Sequence, residues 1–151
     1  MKYNPPEFKP FTVHLSFLRR HRACYMQHCL FKVRFGSKVT VTKELLPDLY
    51  ADFDIDWFLG RVLQNDKEFQ KVVHYYQNLH WNAVDRSHRD YQKALVAAAL
   101  VNKRGYVPSN LSRRKLEQLT AIQGKRDEKD IKSRQRYWTR SLSYLGGRTF
   151  R

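Results

Sequence analysis

The sequence predicts a mostly helical α+β fold with a small antiparallel β element near its N-terminus. Alternating hydrophobic and polar residues, the pattern of a strand, occur within the first 42 residues. After Pro47 the hydrophobic residues recur every three or four positions, which is the spacing of a helix with one buried face. The 151 residues, 42% of them hydrophobic, are enough for a modest core. We therefore predict a single domain over residues 1–151.

The predicted β element occupies residues 11–42. Hydrophobic residues alternate from Phe11 to Phe17, which predicts one strand. Residues 30–42 are predicted to form a β-hairpin, because alternation continues on both sides of Gly36-Ser37 and a leading glycine is typical of a type II′ turn. Residues 1–10 contain three prolines and are predicted to form an extended basic arm. A sheet this small needs helices to cover its hydrophobic face.

About five helices are predicted after this element, with residues 43–124 as the helical core. A short helix is expected from Trp57 to Gln64, preceded by acidic residues that suit a helix N-terminus. Asn65 and Glu68 resemble a capping box and predict that another helix begins there. The segment 84–103 is hydrophobic on all sides between Ala94 and Val101, so it is predicted to be the central buried helix.

The C-terminal part is predicted to hold two further helices. Ser109 or Asn110 would cap the first, and Gly124 would separate it from a basic amphipathic helix and tail over residues 125–151. One face of the last helix is predicted to be hydrophobic, with cations on roughly the opposite side. The hydrophobic positions are Ile131, Trp138, Leu142 and Leu145, and the cations are Lys129, Arg136 and Arg140, with Lys132 at the edge.

The net charge of +15 is concentrated at the two ends of the chain. Residues 1–40 hold 8 basic and 1 acidic residues, residues 41–100 hold 7 and 9, and residues 101–151 hold 14 and 4. Cations clustered in this way strengthen binding to a phosphate backbone, because each contact releases condensed counterions. Solubility alone does not require so much charge of one sign. The distribution predicts that the partner is a nucleic acid, and RNA above all.

The predicted RNA-binding residues are the cations of the two basic ends and one aromatic ring. Tyr137 is chosen for ring contact with a base because arginines surround it, while the neighbouring Trp138 fits the hydrophobic stripe. The full predicted set is Arg19, Arg20, Arg22, Lys32, Arg34, Lys38, Arg113, Arg114, Lys129, Lys132, Arg136, Tyr137, Arg140, Arg148 and Arg151.

Two side-chain clusters contain residue types that bind metal ions. His21, Cys24, His28 and Cys29 are zinc-ligand types, but a second ligand pair at finger spacing does not follow them. Asp52, Asp54 and Asp56 could gather around magnesium, yet N-terminal charges for the next helix are the simpler interpretation. Nucleophile-elbow, P-loop and dinucleotide motifs are not found. We predict neither an enzyme nor a bound metal or cofactor.

These observations predict a non-catalytic structural RNA-binding subunit of a large ribonucleoprotein, and a ribosomal protein above all. The predicted location is the mitochondrial matrix, with the cytoplasm as the alternative. Its partners would be rRNA and neighbouring proteins, without a small-molecule substrate. The longest hydrophobic run has eight residues, so a transmembrane segment is not expected. RNA-recognition signatures such as RNP1 or a GXXG loop do not occur.

Three alternatives stay open on the sequence. A peripheral subunit of a membrane-associated mitochondrial complex could place the basic amphipathic helix on anionic lipid. A small metal-dependent nucleic-acid enzyme could use Asp52, Asp54 and Asp56. A DNA-binding protein could use the helices on either side of Gly124 as a helix-turn-helix.

Overall fold

A computed structural model describes residues 2–151 as short strands and α-helices of very different lengths. The strands are β1 (Phe11–His14), β2 (Lys38–Val41) and β3 (Thr149–Phe150). The helices are α1 (Leu15–Arg20), α2 (Tyr25–Phe35), α3 (Leu46–Asp52), α4 (Ile55–Leu63), α5 (Lys67–Ala97) and α6 (Arg113–Leu142). The predicted class, mostly helical α+β with a small sheet near the N-terminus, is confirmed.

The sheet has the order β2-β1-β3 and joins both ends of the chain. β1 pairs antiparallel with β2, with Phe11 opposite Val41, and parallel with β3, with Thr12 opposite Thr149. Phe11 and Val13 are buried while Thr12 and His14 are partly exposed, as the alternation predicts. The predicted strand to Phe17 is wrong beyond His14, because residues 15–20 form α1, which buries both Leu15 and Phe17. The C-terminal residues are therefore part of the sheet and not a separate tail.

The predicted hairpin over residues 30–42 is wrong in its first half. Residues 30–35 belong to α2, where Phe31 is buried and Phe35 packs edge-on against it with ring centroids 5.3 Å apart. Phe31 and Phe35 are four residues apart and fit one helix face as well as one strand face, which misled the interpretation. Gly36 ends α2 at φ +72°, a conformation that favours glycine, and β2 then pairs with β1.

The later helices are longer and fewer than predicted. Gly124 lies inside α6, which runs without a break from residue 113 to residue 142. Glycine inside a helix costs only about 1 kcal/mol, which a 30-residue helix can absorb. The predicted central helix over residues 84–103 is also wrong, since α5 starts at Lys67 and ends at Ala97. Val96 is 66% exposed, so this stretch is not buried on all sides.

Asp66, and not the predicted Asn65, caps the N-terminus of α5. The backbone N–H of Phe69 donates to Asp66 Oδ1 at 2.9 Å, and Arg148 Nη1 lies 3.1 Å from Oδ2. The Phe69 N–H contributes most to lowering the pKa of the Asp66 carboxyl, and the Arg148 contacts add to it. The stabilisation from Asp66 is therefore complete above the ordinary aspartate range and is lost as pH falls through the lowered pKa.

We expect Asp66→Ala to lower the free energy of unfolding by about 1–2 kcal/mol, through loss of the cap and of the ion pair. Asn65→Ala is the matched control and should stay within about 0.5 kcal/mol of wild type. Urea denaturation at neutral pH measures both, and the difference between Asp66→Ala and wild type should shrink in acid. Equal losses for the two variants would contradict the assignment of the cap.

The contacts within the chain form two compact units. The first unit comprises the residues up to Tyr76 together with Tyr137–Arg151, and it contains the sheet and the main hydrophobic core. Leu59, Leu142 and Leu145 are at most 1% exposed there.

The predicted N-terminal arm packs within the first unit. The Tyr3 carbonyl accepts a hydrogen bond from the Tyr76 hydroxyl at 2.9 Å. The Asn4 carbonyl accepts one from the Tyr144 hydroxyl at 2.8 Å. These contacts anchor the proline-rich segment to α5 and to the C-terminal turn.

The second unit, Gln77–Arg136, contains the C-terminal part of α5, the connecting loop and most of α6. His80 contacts Ser133, and Asp90 contacts Lys129, so residue numbers rise along one helix as they fall along the other. The two helices are therefore antiparallel. Two of the buried side chains of this unit are polar, since His80 and Ser87 are each only 5% exposed.

Candidate nucleic-acid interface

The second unit contains a basic groove between α5 and α6, with a volume of about 300 Å³. Four of its lining side chains are cations and one is a carboxylate; the other three are small. We call it the α5–α6 groove. It is lined by Ala83, Arg86, Ser87 and Asp90 from α5, and by Lys129, Lys132, Ser133 and Arg136 from α6.

Helix geometry places the three α6 cations on one side. Lys129, Lys132 and Arg136 are spaced by three and four residues, so they follow one another along the same face. The sequence correctly predicted that these residues share a basic face. The sequence did not indicate which helix lies opposite this face. That helix is α5, and it belongs to the nearly neutral middle of the chain, where the charge count gave no sign of a binding surface.

Arg86 is the cation that the sequence interpretation missed. It lies on α5 and faces the same groove as the predicted α6 cations. Lys93 is seven residues further along and lies on the same side of the helix, where it lines a more open depression with Arg89. The spacing of Arg86 and Lys93 can be read from the sequence. The acidic residues of segment 41–100 give that segment a negative total charge, so its cations were not considered as binding residues.

Two of the four groove cations have carboxylate partners, and the eight lining residues together keep a formal charge of +3. Lys129 Nζ lies 3.8 Å from Asp90 Oδ2, a long contact between half-exposed side chains. Lys132 Nζ lies 2.6 Å from Glu128 Oε1, and hydrogen bonding from this ammonium lowers the pKa of the Glu128 carboxyl. Exposed pairs of this kind are screened by solvent and contribute little to stability, so a phosphate can replace the carboxylate at little cost.

The floor of the groove consists of small residues, two of which carry hydroxyl groups. Ser133 Oγ and His80 Nδ1 share a hydrogen bond of 2.9 Å. Ser87 is only 5% exposed, and its Oγ has no hydrogen-bond partner. A buried polar atom without a partner costs free energy, so Ser87 Oγ would gain from a hydrogen bond to a ligand in the groove. The atom has almost no accessible surface, and it reaches such a ligand only when the side chain turns to another rotamer.

The predicted cations near the N-terminus are exposed but do not form one cluster. Arg19 and Arg20 end α1, and Arg22 follows in the turn before α2. Lys32 and Arg34, predicted to lie together on a hairpin, are two residues apart on a helix and so point about 160° apart. Arg34 is ion-paired with Asp52 and lies 3.9 Å from Asp48. Lys38 begins β2 and is exposed.

The remaining predicted cations are distributed over both units. In the second unit, Arg113 and Arg114 begin α6; both are exposed, and Arg113 lies 3.4 Å from Glu117. In the first unit, Arg140 lies over the Tyr76 ring at 5.8 Å. Arg148 is ion-paired with Asp66, the N-cap of α5, and Arg151 is exposed at the C-terminus. Of the predicted set, only Lys129, Lys132 and Arg136 meet in the groove.

The predicted stacking of Tyr137 on a base needs correction, because Tyr137 belongs to the core of the first unit and is 6% exposed. Burial raises the pKa of its hydroxyl, and the Asp56 carboxylate adds to the effect.

The hydrophobic stripe predicted for the last helix also needs correction at one position: Ile131 is 56% exposed, whereas Leu142 and Leu145 are fully buried. The predicted hydrophobic stripe is therefore buried at its C-terminal positions, Leu142 and Leu145, and not at Ile131.

The aspartates at residues 52, 54 and 56 each have a contact within the first unit. Asp52 pairs with Arg34, and Asp54 accepts from the Trp57 backbone N–H at 2.8 Å as the N-cap of α4. Asp56 accepts from the Trp138 indole N–H at 3.0 Å. The simpler prediction, that these carboxylates serve the following helix, is confirmed for Asp54.

Among residues 2–151, no three His, Cys, Asp or Glu side chains are placed so that they could hold a metal ion. This includes the weighed zinc ligands, of which Cys24 is an exposed free thiol. Over the same residues, no helix has both the length and the hydrophobicity needed to cross a bilayer.

The chain matches no protein-family model, no curated protein and no solved structure.

Proposed function

We propose that this protein is a non-catalytic RNA-binding subunit of a large ribonucleoprotein, with a ribosome of the mitochondrial matrix as the first setting to test. The observation that carries the proposal is the α5–α6 groove, where Arg86, Lys132 and Arg136 surround a floor of small residues. Cations held on two rigid helices can contact successive phosphates without first losing much backbone freedom. The net charge of +15 supports the same partner.

The local structure supports RNA over the alternatives. A magnesium-dependent enzyme would need its carboxylates free, but Asp52, Asp54 and Asp56 are engaged by Arg34, a helix N-terminus and Trp138. A helix-turn-helix would need a turn at Gly124, where α6 is continuous. A lipid-binding α6 would need a free hydrophobic stripe, but Leu142 lies in the core of the first unit.

A second surface, in the first unit, supports contact with a neighbouring protein. Tyr25, Met26 and Val33 of α2 are 80%, 72% and 84% exposed. Met26 and Val33 are seven residues apart, so they lie on the same side of the helix. Large hydrophobic side chains grouped on one helix mark sites of protein interaction. We assign this face to a protein of the same particle.

Sedimentation of the native protein from gently lysed cells tests the proposal. We expect it to migrate with a large particle in a sucrose gradient, and we expect RNase to move both the protein and the particle to lighter fractions. The RNA recovered with the heavy fractions identifies the particle. Migration as a small species, or in a large particle that RNase leaves intact, would contradict the proposed function.

A further inference from the structure

The floor of the α5–α6 groove contains a hydroxyl group whose environment points to a specific kind of ligand. Ser87 Oγ is buried and unpartnered, and the cations Arg86, Lys132 and Arg136 line the same groove. A phosphate drawn to these cations would bring its attached sugar into the groove. The Ser87 side chain would then turn toward the groove, since its Oγ has almost no accessible surface in the free protein, and would meet a group able to donate or accept a hydrogen bond.

The side chains that line the groove favour recognition of a backbone over recognition of bases. None of the eight lining residues is aromatic, and none is Asn or Gln. Proteins that hold single strands without sequence preference stack the bases on aromatic rings. Double-stranded RNA, in contrast, is recognised by its shape and through its phosphates and 2′-hydroxyls.

An exposed aromatic ring of the same unit lies away from the groove. Trp81 is 52% exposed, but it is two residues before Ala83 and so points about 160° away from it around α5. Stacking on Trp81 would therefore engage a different side of the helix from the cations of the groove. This separation gives an internal control that distinguishes binding to a backbone from binding to unpaired bases.

We infer that the α5–α6 groove binds the sugar–phosphate backbone of double-stranded RNA, with Ser87 Oγ hydrogen-bonded to a ribose 2′-hydroxyl. The inference rests on the proposed function and deepens it, because it specifies the form of RNA and the contact that distinguishes it from DNA. Phosphates contact the cations at the rims of the groove, and the ribose between them faces the floor. Recognition of this kind is independent of sequence.

The test is equilibrium binding of the full-length protein to three labelled nucleic acids of one sequence: an RNA duplex, its single strand and a DNA duplex, each of about 20 nucleotides per strand. In about 0.1 M salt we expect the RNA duplex to bind at least about tenfold more tightly than the single strand, and also more tightly than the DNA duplex. Unrelated RNA duplexes should bind equally well.

Two single substitutions make the test specific to the groove. Ser87→Ala should weaken binding of the RNA duplex several-fold, leave the DNA duplex unchanged and raise the melting temperature of the free protein, because it removes an unpartnered buried hydroxyl. Trp81→Ala should leave binding of the RNA duplex unchanged. The melting measurement shows that Ser87→Ala folds, so a loss of affinity cannot come from unfolding.

The outcomes separate this inference from the proposed function. Tighter binding of the single strand, or a loss of affinity in Trp81→Ala but not in Ser87→Ala, would overturn the inference and leave an RNA-binding protein. Equal effects of Ser87→Ala on the RNA and DNA duplexes would overturn the 2′-hydroxyl contact. Failure to bind RNA in any form would overturn the proposed function, and the inference with it.

Discussion

Leu142→Ala is expected to destabilise the first unit by about 2–5 kcal/mol, a large part of the stability of a typical domain. Leu142 is 1% exposed and lies in the core near the end of α6, so shortening it leaves a cavity. The segment from Tyr137 onward also supplies Leu145 and strand β3. Truncating the basic C-terminal region would therefore remove part of the core, and its effect on RNA binding could not be read separately.

Ile131→Ala is the matched control for Leu142→Ala. The two residues lie on the same helix and were predicted to share one hydrophobic stripe, but Ile131 is 56% exposed. We expect Ile131→Ala to stay within about 0.5 kcal/mol of wild type. Urea denaturation followed by circular dichroism measures both variants. Equal destabilisation would mean that α6 packs along its whole hydrophobic stripe, against the structure described above.

The second large effect is expected from removing charge in the groove. The triple variant Arg86→Gln, Lys132→Gln and Arg136→Gln should weaken RNA binding at least roughly 100-fold in about 0.1 M salt. The slope of log affinity against log salt should become shallower by about 2–3, because each phosphate contact contributes roughly 0.9 to it. All three side chains are exposed, so we expect the fold to survive.

A charge-matched control in the same unit separates a binding site from a general basic surface. Lys103→Gln, Arg104→Gln and Lys115→Gln together also remove three positive charges, from exposed residues that do not line the groove. We expect this triple variant to bind RNA within roughly threefold of wild type. Affinity titrations over a range of salt concentrations measure both triples. Equal losses would show that the charge acts diffusely and that the groove is not the site.

Local signals in the sequence predicted those parts of the fold that depend on local interactions. The acidic residues before the short helix were predicted to serve its N-terminus, and Asp54 is the N-cap of α4. Strand β1 follows the two-residue alternation from Phe11 to His14, but the alternation continues to Phe17 in a segment that is helical. The cap is a contact over three residues, whereas the pairing of β1 with residues 38–41 and 149–150 has no local signal.

The errors occurred where two structures satisfy the same local pattern. Phe31 and Phe35 fit one face of a strand or of a helix, and in the helix both rings pack against Phe53, which is distant in the sequence. Gly124 suggests a break in isolation, but the long helix around it continues. Tyr137 is surrounded by arginines in sequence, yet the direction of its side chain places it in the core.

The candidate site was only half predictable for a related reason. Lys129, Lys132 and Arg136 could be assigned to one helix face from their spacing alone. Arg86 and Ser87 join them because α5 and α6 pair antiparallel over residues about fifty apart in sequence, as the contact between His80 and Ser133 shows. The sequence contains no local signal that fixes this pairing. A groove between two helices becomes visible only once both are placed.

Lysine footprinting of the native particle tests whether the α5–α6 groove contacts RNA. Accessible amines are acetylated in the intact particle and again after RNase treatment, and the modified positions are mapped by mass spectrometry. A bound phosphate shields a lysine without any contact to a base. We predict that Lys129 and Lys132, which are exposed in the protein alone, are protected in the particle and react after RNase, while Lys103 and Lys115 outside the groove react equally in both. Reaction of Lys129 and Lys132 in the intact particle, or protection that RNase does not remove, would contradict RNA binding in the groove.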